Sequence, residues 1–65
     1  MINKAEAIKA IGAGAELRYY GSRMGSKTFA TINGETVRVD VARSLMREKM
    51  EMKSKVAGLS VWVKK

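Results

Sequence analysis

A chain of 65 residues without a single cysteine or histidine must hold itself together by apolar packing alone. A domain this short buries only about 60% of the surface that its unfolded chain exposes. Small scaffolds usually make up the difference with disulfides or a structural metal. Disulfides and thiolate zinc sites are closed to this sequence, and the usual transition-metal ligands are absent, because it has neither cysteine nor histidine. The expectation is one small domain over residues 1–65 with no metal and no cofactor. Its marginal stability leaves room for a homodimer.

The same absences narrow the chemistry. A hydrolytic triad or an imidazole acid–base pair has no residues to draw on. The acids Glu6, Glu16, Glu35, Asp40, Glu48 and Glu51 are scattered among bases, as helix caps and solvated surface charges are. The segment from Gly21 to Thr28 invites comparison with a phosphate-binding loop, but Ser26 precedes Lys27 where that motif demands glycine, and a strand is expected to follow instead of a helix. A non-enzymatic protein is therefore expected. No apolar run approaches the roughly 20 residues needed to span a bilayer. The N-terminus also lacks the basic start and apolar run of a signal peptide, so a cytoplasmic location and no membrane partner are expected.

Thirteen Lys and Arg against six Asp and Glu give a net charge of +7. On so small a surface this is a dense positive field, favouring nucleic acid or an acidic protein as partner. Solubility alone is the plainer explanation of the same charge.

The hydrophobic pattern predicts an α+β fold. Asn3 and Glu6 form a capping box for a short N-terminal helix over about Lys4 to Ile11, with Ala5, Ile8 and Ile11 on its apolar face and Gly12 and Gly14 at its stop. The period then changes to two, with Leu17 and Tyr19 alternating against Arg18 and Tyr20 as a strand. A Gly/Ser-rich loop leads to a returning strand, Thr28 to Ile32. Asn33-Gly34 then signals a tight hairpin, because both residues of a type I′ turn need positive φ. Residues 35–39 read either as a third strand, completing an antiparallel meander, or as the start of the next helix. Asp40 is expected to cap one longer amphipathic helix packed on the sheet, Val41 to about Lys53, with Val41, Leu45 and Met52 on one face. Lys55 to Gly58 would end it before a C-terminal strand, Leu59 to Val63. Trp62 points away from Leu59, Val61 and Val63 in that strand and is either core or an exposed anchor.

Two groups of residues carry candidate functions. Arg18, Tyr20, Arg23 and Lys27, with Tyr19 and Phe29 among them, interleave rings with cations, the combination needed to stack on bases and contact phosphates. Tyr19 reads first as core, and Phe29 is open between core and stacking. Arg43 and Arg47 add cations on the helix, although with Glu51 they also fit a surface ion-pair ladder. The second group is Trp62, Met50, Lys49, Lys53 and Lys55, an aromatic and Met-bearing surface with a basic rim suited to an acidic protein.

A short Ala-rich helix, a hairpin, the stretch Ile32-Asn33-Gly34-Glu35-Thr36-Val37, an amphipathic helix and a last strand together resemble small accessory proteins of bacteriophages and prophages. Some of these are similar to winged-helix domains, in which a hairpin wing and a helix grip DNA. The resemblance implies a regulator that binds DNA or a host protein, with Arg23 and Lys27 in the wing. It departs from that pattern in having no tight helix-turn-helix pair ahead of the hairpin. The expected function is nucleic-acid binding, foremost DNA, with a small protein-binding regulator or inhibitor as the alternative.

Overall fold

The computed structural model describes residues 1–21 and 28–65. Its elements run α1 (Lys4–Gly12), β1 (Leu17–Tyr20), β2 (Phe29–Ile32), β3 (Glu35–Val37), α2 (Val39–Lys49), β4 (Met50–Val56) and β5 (Leu59–Lys64). The five strands form one antiparallel sheet in the order β3-β2-β1-β5-β4. The α+β expectation therefore holds, with a short N-terminal helix and a longer one packed against the sheet. Three strands separate the two helices, so no helix-turn-helix pair forms among the described residues. No described helix is long and apolar enough to cross a membrane.

Local chemistry explains α1. The Asn3 side chain accepts from the Glu6 backbone N–H at 2.8 Å, and the Glu6 carboxylate accepts from the Asn3 N–H at 3.3 Å, so two otherwise orphaned donors are satisfied reciprocally. At the other end the Ala15 N–H reaches the Ala10 carbonyl and the Gly14 N–H reaches that of Ile11, with Gly14 at φ +100°. This is a Schellman stop, and it needs the one residue that takes positive φ without strain. The buried stripe of α1 is Ala7 and Ile11, with Ala10 beside them. Ala5 and Ile8 are exposed, which corrects the expected face.

The sheet has one covered face. Leu17 lies opposite both Ile32 and Trp62, Tyr19 opposite Ala30 and Ser60, and Ala30 opposite Val37. Directly paired residues share a face, so these side chains form a single layer. Ala7 and Ile11 of α1, Ala42 and Leu45 of α2, and Met50 close over that layer to make the core. The Asn33-Gly34 turn, at φ 53° and 80°, joins β2 to β3 as its sequence demands. Ile2 bridges to Val37 along the outer side of β3 and partly covers that edge.

The larger correction concerns α2. It starts at Val39, with Arg38 in the cap position and no side-chain cap hydrogen bond; Asp40 lies in its first turn, where its charge favours the helix N-terminus, and pairs with Arg38 at 3.2 Å. Residues 35–39 are thus divided, the strand ending at Val37. The helix then stops at Lys49, and Met50 to Val56 is a strand, where the sequence pattern extends the helix to Lys53. The cause lies downstream. Ala57 and Gly58, at φ 46° and 87°, form a second tight turn that folds β4 back on β5. Helix propensity differs among these residues by only tenths of a kcal/mol each. Cross-strand pairing of six of the seven β4 residues, with Met50 in the core, outweighs it. Met52 accordingly leaves the expected helix face and is about half exposed on β4.

The β4–β5 turn is tightly held, since a Cβ added at Gly58 would lie 2.9 Å from the Gly21 carbonyl oxygen. That oxygen belongs to the residue whose own N–H is bonded to the Gly58 carbonyl. Gly58→Ala is expected to destabilise the protein by about 1–2 kcal/mol, from positive φ on an L-residue with the contact added. A urea titration measures this, and an unchanged midpoint would show that the turn relaxes freely.

Candidate functional site

The register sorts the candidate residues onto two sides of the sheet. Arg18, Tyr20, Phe29, Thr31, Leu59, Val61 and Val63 alternate with the core residues and project from the opposite face, which no helix covers among the described residues. At the β1–β2 end of this face the Tyr20 and Phe29 rings are direct cross-strand partners. They stack at a centroid distance of 4.3 Å and an interplanar angle of 14°. Phe29 is 44% exposed and so is not a core residue. Arg18 is exposed two residues before Tyr20, and a shallow groove, with Glu16 also in its lining, runs over Arg18, Tyr20, Phe29 and Thr31 towards the Asn33-Gly34 turn. Arg23 and Lys27 fall among residues 22–27 and lie outside the described residues, as does the tip of the expected wing.

Towards β4 the same face changes character. Lys53 sits at an irregularity in β4, where the register shifts between Met52 and Ser54, and its Nζ donates to Glu16 Oε2 at 2.8 Å. This hydrogen bond and the Lys53 charge, with a smaller contribution from Arg18, hold the Glu16 carboxyl below the ordinary carboxylate range, against a weak opposing effect of burial. A depressed folded pKa contributes stability above the unfolded pKa that disappears as pH falls through the folded value. Urea midpoints taken between about pH 6 and about pH 3 should therefore fall less steeply for Glu16→Gln than for the wild type. Identical slopes would show that the pair does not persist in solution. Lys53, expected on the protein-binding surface, is thereby tied to Glu16 instead.

Arg43 and Arg47 belong to the other side. Arg43 Nε donates to the Tyr19 hydroxyl at 3.1 Å. Tyr19 itself packs against the core, as its place in the alternation predicts. Arg47 is exposed one turn further along, beside a shallow depression shared by Asp40, Arg43, Ser44 and Glu48. The cations expected to act together with Arg18 and Tyr20 are thus separated from them by the thickness of the sheet.

The second group is also redistributed. Met50 is 1% exposed and is a core residue, so it presents nothing to a partner. Lys49 is the exposed last residue of α2, and its carbonyl accepts from the Lys65 N–H at 3.2 Å. Trp62 is half-buried, packed against the core, with its indole N–H donating to Ser60 Oγ at 3.0 Å. That answers the question of core or exposed anchor with an intermediate: one side of the ring is packed, and the other lines a groove with Lys55, Met46 and Met52. From sequence, Met46, Met50 and Met52 read as core of the long helix or as an adaptable surface; Met46 and Met52 line the groove, and Met50 is core. The period-two spacing of Met50 and Met52 ahead of Ala57-Gly58 was the signal that could have placed Met52 on a strand.

Among the described residues no group of His, Cys, Asp or Glu is placed to hold a metal ion. No protein-family model matches the chain, and no curated protein or solved structure shows significant similarity to it. Function therefore has to be argued from the two surfaces themselves.

Proposed function

We propose that this protein binds nucleic acid, and that single strands lie across the uncovered face of the sheet. The observation that carries the reading is the stacking of exposed Phe29 on half-buried Tyr20 beside Arg18, on the sheet face away from the core, in a chain of net charge +7. Aromatic rings on a sheet accept bases by stacking without regard to sequence, and cations beside them follow the phosphates. A single strand fits this arrangement better than a duplex, because only unpaired bases can turn a π face to a side chain. The Glu16–Lys53 pair sets the limit of the cationic region, so the strand is expected to run along the β1–β2 half of the sheet. The reading extends the expected DNA binding to single strands and does not depend on a wing.

Titration of a labelled single-stranded DNA, the matching RNA and a duplex at two salt concentrations tests it. Single strands should bind more tightly than duplex, with log K falling by about 0.7 per phosphate contact for each tenfold rise in salt. No binding at low salt, or a clear preference for duplex, would refute the proposal. Sedimentation of the free protein completes the test. If the same face is buried in a homodimer, single strands should bind with dissociation of the dimer or fail to bind.

A further inference from the structure

The groove on the helix side of the sheet has no role in nucleic-acid binding as proposed. It is bounded by α2 and by the β4–β5 hairpin. Its floor is apolar and polarisable, formed by Trp62, Met46 and Met52, with Met52 51% exposed. Arg43 and Lys55 stand at its rim, and among the described residues its lining contains no carboxylate. Arg43 is held in place by the Tyr19 hydroxyl through Nε, which leaves the terminal nitrogens of the guanidinium for another acceptor. Among the described residues neither Arg43 nor Lys55 is in an ion pair, whereas Lys53 and Arg38 are. The space amounts to about 880 Å³, enough for an aromatic side chain with flanking backbone and far more than one ion requires.

We infer that this groove binds an acidic peptide segment of a protein partner, with an apolar side chain seated against Trp62 between Met46 and Met52 and carboxylates on Arg43 and Lys55. Charge complementarity selects the occupant, since two unpaired cations around an apolar floor favour an anchor residue flanked by acids. Methionine suits the floor, because its unbranched chain repacks around different anchors and its sulfur is attracted to aromatic edges. Arg43 can take a carboxylate through two parallel hydrogen bonds, a geometry that Lys55 does not offer. A second copy of this chain fits less well, because its surface carries the same excess of positive charge.

The test uses short blocked peptides in which a Phe is flanked by glutamates, with a lysine-flanked analogue as control. Trp62 is the chain's single tryptophan, so its emission and indole N–H resonance report the groove directly. The acidic peptide should shift both, together with the amides around Met46, Met52 and Lys55, and leave those of Arg18 and Phe29 unmoved. Lys55→Glu, on an exposed strand position, should weaken binding by about tenfold or more, and Arg43→Glu with Lys55→Glu should abolish it. Thermal melts of both variants establish that they remain folded. Absence of binding, equal binding of the lysine-flanked analogue, or affinity indifferent to Lys55→Glu would overturn the inference. So would a single-stranded oligonucleotide that shifts the groove amides and displaces the peptide, since the rim cations would then serve the nucleic acid. The two surfaces lie on opposite sides of the sheet, so oligonucleotide binding retained in the double variant separates failure here from failure of the proposed function.

Discussion

Leu45→Ala is expected to leave most of the protein unfolded at room temperature. Leu45 is fully buried near the middle of α2, in the core with Leu17, Ile32 and Val37 of the sheet. Removing a leucine side chain from such a site costs about 2–5 kcal/mol, from lost transfer free energy and the cavity left behind. A core of this size rarely supplies more than about 3–5 kcal/mol in total, and a chain without cysteine has no disulfide to add to it. Arg47→Ala on the exposed side of the same helix should stay within about 0.5 kcal/mol of the wild type. Circular dichroism and urea titration of the two variants give the comparison. A Leu45→Ala protein that melts with the wild type would show that α2 does not hold the sheet through this residue.

The second large effect concerns affinity. Replacing Tyr20 and Phe29 together by leucine keeps apolar surface on the sheet and removes the stacking faces. Stacking of a base on an aromatic side chain contributes about 1–3 kcal/mol, so affinity for a single strand should fall about 5- to 150-fold for each stacked base lost. Part of any stability change comes from the loss of the ring pair, which is worth about 0.5–1.5 kcal/mol beyond its area. Melting of the free variant measures that part separately. The salt dependence should be unchanged, because no phosphate contact is removed; Arg18→Ala should do the reverse, lowering the salt slope by about one contact with little change in stacking. Oligonucleotide affinity that survives the double leucine variant would eliminate the open face as the binding surface.

Much of the fold can be read locally. Asn3 and Glu6 announce the start of α1, Gly14 its stop, Asn33-Gly34 the hairpin, and Leu17 with Tyr19 the inward side of β1. Each of these signals acts within a few residues, through hydrogen bonds and allowed dihedral angles that the neighbouring sequence completes by itself. The face of α1 was less legible. Ala7 and Ile8 are both apolar, and only the angle at which the helix meets the sheet decided that Ala7 is buried and Ile8 is not.

Met50 to Val56 marks the limit of local reading. Met, Glu and Lys favour helix by small increments, and nothing inside the segment opposes it. Its strand conformation depends on Ala57-Gly58 turning the chain and on β5 lying in the sheet beside β1. The same dependence governs the candidate surfaces. Alternation alone put Arg18 and Tyr20 on one side of β1, and the ring of Phe29 joined them through the register of β1 with β2. Arg43 came to Tyr19, and Met46 to Trp62, across long intervals of sequence. By itself the sequence determined the caps, the first tight turn, the alternation of β1 and the excess of positive charge, because short-range geometry and composition suffice for those. The end of α2, the separation of the cations onto opposite faces, and the groove beside Trp62 were decided by tertiary structure, because they rest on contacts between segments whose local preferences are too weak to specify them.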